Sequence, residues 1–382
     1  MTSLISGINV VELSTMITAP LAGMMLADWG ATVIKVEKPE SGDPFRNFRD
    51  GLYSPHFCAY NRNKESITLD LHLDECKSIF VELIKKADVF IENFRPATMD
   101  SFGFSDEKLK EINPQLIRCH ITGFGPDGPY SERPAYDAIA QALSGISSLY
   151  LSAEDSQITG PTISDNVTAH YACQGILAAL YERTKTNLGR RLDVNMLESS
   201  LAFIPDPFAY LTQLKLVSGP LLRAKTSQSY AFSDSNGKMF AVHLSSQPKF
   251  WKGFIDCLEL PNLAQDERFL TRALRIDNYL LIKDIAAEIL VKNTREHWLT
   301  ILVNMDIPAA PIYDVTEVFN DPQVKYLDSF VDLTHPIMGV IKTIRRPVWL
   351  DGHRSDQELN APPMLGENSQ DIIKNIHIGV IR

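Results

Sequence analysis

A carboxylate at the start of a helix can serve as a cap or as a reagent. In the stretch Gly160-Pro161-Thr162-Ile163-Ser164-Asp165-Asn166-Val167-Thr168, which runs into the apolar segment Cys173 to Leu180, Asp165 is placed for either role. As an N-cap its oxygens would accept orphan backbone N–H groups at the positive end of the helix dipole, the commoner use of such a residue. As a nucleophile it would form a covalent acyl intermediate. The local residues leave both open. His170 lies five residues on, about 500° of rotation at 100° per residue, so it is predicted to point away from Asp165 into a core or an interface.

Other chemistry-bearing patterns are weaker. Gly123-Phe124-Gly125-Pro126-Asp127-Gly128 fits G-x-G-x-x-G after a predicted strand. A dinucleotide fingerprint needs a helix beginning inside it, whereas Pro126, Pro129 and Pro134 prolong a loop, so close backbone approach to some ligand is expected and nicotinamide binding is not. G-x-x-x-x-G-K-[ST], H-E-x-x-H and G-x-S-x-G are all absent from the sequence. Cys58, Cys76, Cys119, Cys173 and Cys257 are odd in number and show no C-x-x-C spacing. They predict neither a disulfide framework nor a metal site, and are expected as buried small hydrophobes.

These residues need a scaffold. A chain of 382 residues, 45% hydrophobic and 22% charged, has room for two domains. Its formal net charge of −10 argues against nucleic acid as a partner, so any anionic ligand must be held locally. Lys35, Lys38, Arg46, Arg49, Arg62, Lys64 and Arg95 gather near loops of the first hundred residues, as a solvated face or as a pocket for phosphates. No apolar run approaches the roughly 18 residues of a membrane span, and the first thirty residues lack a secretory pattern. A cytoplasmic protein with no membrane partner is therefore expected.

The opening alternates strand and helix: Ile8 to Leu13 and Thr32 to Glu37 as strands, with a helix from Pro20 to Trp29 that has Pro at its first position. A helix at Glu75 to Lys86 and strands at Val89 to Glu92 and Leu116 to Ile121 extend this to a largely parallel sheet, whose ligands belong at the carboxyl ends of its strands. Lys38 and Arg95 fall just past two such ends. From about residue 200 the texture changes: a long helix or linker over Ile204 to Ala224, short strands near Tyr230 to Phe232 and Met239 to Val242, and helices near Lys249 to Cys257 and Asn278 to Val291. A short strand at Gly339 to Ile344 follows. The expected organisation is an N-terminal part of a large domain at 1–200, a linker at 201–222, a small α+β domain at 223–308, and a return to the large domain at 309–382.

Gly7-Ile8-Asn9-Val10-Val11-Glu12-Leu13-Ser14, Ala19-Pro20, the run from Leu26 to Pro39 and Gly42-Asp43-Pro44 resemble the opening of the class III CoA-transferases. That family includes formyl-CoA transferase, carnitine CoA-transferase and α-methylacyl-CoA racemase. The resemblance continues in order through Asn63-Lys64-Glu65-Ser66, Leu69-Asp70-Leu71, Glu92-Asn93-Phe94-Arg95-Pro96, Thr122-Gly123-Phe124-Gly125, Ala135-Tyr136-Asp137, Gly189 to Val194 and Leu365-Gly366-Glu367. It implies an α/β fold with a Rossmann-like large domain formed by both chain ends, a small α+β domain between them, and an interlocked-ring homodimer.

The resemblance also implies roles. Asp165 takes the position of the catalytic nucleophile, which would carry the acyl group as a mixed anhydride and then CoA as an aspartyl thioester. Coenzyme A would enter as a substrate, with no permanently bound cofactor and no metal, and a small carboxylic acid such as succinate or oxalate would be the acceptor. CoA contacts are implied at Lys38, at Leu71, His72 and Leu73, at Asn93, Phe94 and Arg95, and at Ala135 and Tyr136. If Asp165 sits near a helix start, the dipole should keep it ionised.

Racemase is the first alternative, but that branch resembles a His where this chain has Tyr136, and a phenol is a weak base at neutral pH. A CoA-binding subunit without turnover is the second. The chain departs from formyl-CoA transferase at Ser101, where an Arg stands, and at Ile17, where a Gln stands, which shifts phosphate binding toward Arg95. No Gly-Gly pair occurs between Asn195 and Pro308, so the glycine loop that formyl-CoA transferase carries over its nucleophile is missing. Arg223 is a candidate for an acceptor carboxylate, or a surface Arg.

Overall fold

The computed structural model describes residues 3–49, 51, 53–152, 154, 156–245, 248–353 and 359–378. Six strands form a single parallel sheet: β1 (Asn9–Leu13), β2 (Thr32–Glu37), β3 (Lys64–Thr68), β4 (Val89–Glu92), β5 (Ile117–Thr122) and β6 (Arg191–Asn195). Their order is β3-β2-β1-β4-β5-β6, with every neighbouring pair parallel. The order reverses between β1 and β4, and the two loops leaving those strands diverge there to open a crevice.

Helices cover both faces. On one, α1 (Thr18–Asp28) packs on α7 (Ser164–Thr186). Ala169, Ala172, Cys173, Ile176, Ala179 and Leu180 recur at helical spacing along α7, and their small side chains let it lie close against Ala19, Ala22 and Leu26 of α1. On the other face, Phe80, Leu83 and Ile84 of α3 (Asp74–Lys86) and Leu109 of α5 (Asp106–Ile112) bury against β1 and β4. The C-terminal helix Ser369–Ile378 adds Ile372 and Ile376 to the same cluster.

The chain divides into two compact units. One comprises 1–147, 158–205 and 329–382; the other comprises 148–157 and 206–328. In the first, β10 (Phe330–His335) and β11 (Gly339–Ile344) make a separate antiparallel hairpin. The second unit holds the antiparallel sheet of β7 (Ser229–Ser233), β8 (Met239–His243) and β9 (Ala309–Pro311). Helices Pro248–Cys257, Tyr279–Leu290 and Arg295–Asn304 pack on it around Tyr230, Phe240, Phe254 and Trp298.

Several expectations need correction. The first helix begins at Thr18, so Pro20 sits third, where its missing N–H is still without consequence. The long helix over Ile204 to Ala224 is broken: Pro205–Ala209, a π-turn at Tyr210–Leu214 and a separate helix at Leu222–Ser227. Cys76 is only half-buried, unlike the other four cysteines. His170 is exposed within this chain rather than part of its core, its Nδ1 2.8 Å from the Asn166 carbonyl.

The basic residues of the first hundred are neither a solvated face nor a phosphate pocket as a group. Lys38, Arg49 and Arg95 are exposed, but Lys35, Arg46, Arg62 and Lys64 are buried in ion pairs. Arg46 holds Glu37 through two bonds of 2.7 Å, and Arg62 pairs with Asp28. Lys35 and Lys64 both reach Glu12, at 2.9 and 2.8 Å. Lys35 and Lys64 are carried into the sheet by the strands they sit on, Arg46 and Arg62 lie on turns beside it, and only pairing makes such buried charges tolerable.

Candidate functional site at the sheet switch point

A cavity of about 220 Å³ occupies the crevice between the carboxyl ends of β1 and β4. The loop Thr15–Ile17 and the first residue of α1 form one wall, Asn93 to Arg95 the next, and Thr122-Gly123 a third. Ala135, Tyr136 and Asp165 also line it, as does a second arginine, Arg133. Of the sequence candidates, Asp165, Asn93, Phe94, Arg95, Ala135 and Tyr136 thus share one space. Lys38, Leu71, His72 and Leu73 do not line it: Lys38 is exposed after β2, Leu71 is buried beneath α3, and His72 and Leu73 are exposed on the turn before α3.

Asp165 is the second residue of α7 rather than its cap; Ile163 stands at the cap position and makes no side-chain bond. Its neighbour Ser164 is buried, 2.7 Å from the hydroxyl of Ser200 on α8 (Met196–Phe203), which anchors the start of the helix. The backbone N–H of Asp165 donates to Asp137 Oδ1 at 3.2 Å, and Gln141 donates to Asp137 Oδ2 at 2.5 Å and to the Pro161 carbonyl at 3.2 Å. Asp137 and Gln141 belong to α6 (Asp137–Ser144), which therefore fixes both the approach to α7 and the first turn itself.

Burial, together with the like charge of Asp137, pushes the Asp165 carboxyl up to about 7. This corrects the expectation that a helix start keeps it fully ionised. In the half-buried site desolvation and the second carboxylate outweigh the dipole. The folded chain therefore binds this proton more tightly than the unfolded one, and ionising Asp165 costs stability as pH rises from about 4 to 7.

The walls are held from behind. Asn93 Oδ1 accepts the Thr15 N–H at 2.9 Å, and its Nδ2 donates to the Thr15 carbonyl and the Thr18 hydroxyl. Its amide is thus occupied with loop geometry. Glu92 Oε2 accepts the Phe94 N–H at 2.6 Å, and Glu92 Oε1 lies 2.7 Å from His120 Nδ1. Burial opposes the charge of His120, but Asp106 and Glu92 outweigh it and raise its pKa to about 9, so the imidazolium persists at neutral pH. Gly123 lies so close to Ala135 that an added Cβ would fall 2.2 Å from the Ala135 Cβ. No helix begins within residues 123–128, and Gly125 and Gly128 adopt positive φ, which glycine alone takes up without a Cβ clash, so the segment turns as a loop.

Sequence reasoning did not single out Glu92, Asp137 or Gln141 as site residues. Asp137 and Glu92 sat beside candidates in the family blocks; Gln141 gave no signal, since a Gln on a short helix is ordinary.

α1 starts at this cavity without a side-chain cap, so its first-turn N–H groups have neither intrahelical nor capping partners. Two helix N-termini, one bearing a carboxylate, thus converge on one space at the switch point. The model of CoA-transferase family III matches residues 5–369.

The chain belongs to CoA-transferase family III.

Among its relatives is the acetyl-CoA:oxalate CoA-transferase of Acetobacter aceti, 32% identical over 366 residues, covering 94% of this chain and 92% of that one. The human succinyl-CoA:glutarate CoA-transferase is 30% identical over 396 residues, covering 97% and 86%. A CAIB/BAIF family protein from Brucella suis superposes with a TM-score of 0.86 at 31% identity, covering 98% of this chain and 100% of that one. The family and its named members make this family III chain an enzyme of the CoA-transferase class. Among the described residues no helix is long and apolar enough to cross a membrane, and no group of three or more His, Cys, Asp or Glu could hold a metal ion.

Proposed function

We propose that this family III enzyme moves CoA from an acyl-CoA to a small carboxylic acid through Asp165. The observation that carries the reading is a half-buried carboxylate at the head of α7 that lines the switch-point cavity together with the uncapped start of α1. A Asp165 oxygen attacks the thioester carbonyl; the C–S bond breaks and CoA thiolate leaves, giving a mixed anhydride. The thiolate then attacks the aspartyl carbonyl and releases the first acid as carboxylate. The acceptor carboxylate displaces CoA from the resulting aspartyl thioester, and thiolate attack on the new acyl carbonyl regenerates Asp165. Each step exchanges one activated acyl bond for another, so no outside energy source enters.

Arg95, which lines the cavity, is proposed to bind a CoA phosphate, and Ala135 and Tyr136, which line it with Asp165, are proposed to contact the thioester end. Lys38, Leu71, His72 and Leu73 are proposed as outer contacts along the nucleotide. The relatives act on oxalate and glutarate by name, which favours a small dicarboxylate as acceptor. The reading includes the interlocked homodimer and a cytoplasmic setting.

Intact-protein mass after brief incubation with formyl-, acetyl- and succinyl-CoA tests it. An adduct of acyl or CoA mass on Asp165, absent in Asp165→Ala, supports transfer. No adduct from any donor, with solvent deuterium appearing at the α-carbon of a 2-methylacyl-CoA, would replace it by the racemase.

Two further results are expected. Because attack requires the carboxylate, kcat/KM should rise with pH through about 7 with unit slope. Asp137→Asn removes one cause of the raised value and leaves burial, so the midpoint should move down while remaining above 3.8. A pH–rate profile of both proteins checks this; an unmoved midpoint would remove Asp137 from the electrostatics. Gly123→Ala should drive Ala135 and Tyr136 out of place at about 1–3 kcal/mol of overpacking, weakening CoA binding about tenfold or more in titration calorimetry.

A further inference from the structure

Behind the cavity lies a buried charge cluster that no chemical step uses. Lys35 Nζ sits 2.9 Å from Glu12, 3.0 Å from Asp43 and 3.0 Å from the Ser14 carbonyl, and the side chains of Lys35, Glu12 and Asp43 are inaccessible to solvent. Asp43 spends its oxygens on backbone: Met16 N–H donates to Oδ1 and Oδ2 at 3.1 and 3.2 Å, and Phe45 N–H donates to Oδ1 at 2.9 Å. Met16 has φ +66, a left-handed conformation that a side chain with a Cβ disfavours. It is flanked by Thr15, clamped by Asn93, and by Ile17, the residue that leads into α1, and all three line the cavity with Asp165.

We propose that Asp43 is a positioning residue for the transfer: pinned by Lys35, it holds the Met16 amide and so the left-handed turn that aims the start of α1 at the space Asp165 attacks into. The inference rests on the reading of Asp165 as nucleophile. The cluster links a strand of the sheet interior to one strained residue at the cavity wall. Without the carboxylate, Met16 relaxes to negative φ and the first turn of α1 shifts. A displacement near 1 Å at a reacting centre costs about 100-fold in rate.

The test uses the full-length protein and whichever of formyl-, acetyl- or succinyl-CoA labels the wild type, at saturation. Asp43→Ala should slow formation of the Asp165 adduct about 100-fold. Asp43→Asn, which keeps an acceptor for Met16 but drops the charge facing Lys35, should slow it about tenfold and keeps the test open if the Ala variant does not fold. Met16→Gly in the Asp43→Ala background should restore about tenfold, because Gly adopts positive φ without the Cβ clash. Leu83→Ala, a core truncation on the buried face of α3, lowers Tm and should leave the rate within threefold of wild type, which separates positioning from stability. An Asp43→Ala rate within threefold of wild type, or a loss that Met16→Gly does not relieve, overturns the proposal. Absence of an adduct in the wild type instead overturns the nucleophile reading.

Discussion

Asp165→Ala should abolish CoA transfer, with kcat reduced by about 10⁴ or more, while CoA still binds with an affinity close to that of the wild type. The side chain is the proposed covalent carrier, so no neighbour can substitute: Asp137, the other carboxylate at hand, is engaged by the Asp165 N–H and by Gln141. Asp165→Asn should be equally inactive and more stable than wild type at pH 8. Burial and Asp137 raise the carboxyl to about 7, so the cost of ionising it builds up between about 4 and 7 and is fully present at pH 8, and a neutral amide avoids this. Activity assays, calorimetric CoA titration and thermal melts at pH 5.5 and 8 check the three parts. The melting difference should shrink at the lower pH, where wild-type Asp165 is mostly protonated.

The largest loss of stability is expected at a pair remote from the reacting atoms. Arg46 and Glu37 are almost fully buried, joined by two bonds of 2.7 Å; Arg46 also lies 3.7 Å above the Phe57 ring and donates to the Pro363 carbonyl. Arg46→Met leaves Glu37 as a buried charge without its counterion, at a cost of about 3–5 kcal/mol. Burial alone would raise the Glu37 carboxyl, but the guanidinium holds it below the usual carboxylate range. Its contribution is therefore fully present above an unfolded value of 4.5 and is lost as pH falls below it. Urea titrations at pH 7.5 and 4 check both points. The wild-type midpoint should fall at pH 4, and the deficit of the variant should narrow there. A midpoint for Arg46→Met within experimental error of wild type at pH 7.5 would contradict the assignment.

The parallel sheet was legible because β1, β2 and β4 are short β-branched runs bounded by Gly, Asp or Asn, and strands buried on both faces carry that signature. The family blocks marked Asp165, Asn93 and Tyr136. What each would do was less legible. A strand reading treats Lys35 and Lys64 as surface charges, since nothing in one chain's linear order reveals that Glu12 lies between them. The raised value of Asp165 depends on Asp137, 28 residues away, arriving on a separate helix. Asn93 was expected at the ligand, yet its amide is spent on Thr15 and Thr18, a loop 75–78 residues earlier. Such contacts belong to topology, and local propensity cannot contain them.

β3 is one of the two outer strands of the sheet, and its free edge is closed by a segment far along the chain. Asn368 Oδ1 accepts the Ser66 N–H, Ser369 Oγ accepts the Thr68 N–H, and Gly366 N–H donates to the Ser66 hydroxyl, across roughly 300 residues. The sheet thus keeps an unpaired edge until residues 366–369 have been made. A chain stopped short of them carries a strand open to mispairing and to chaperones, and that segment is what covers it.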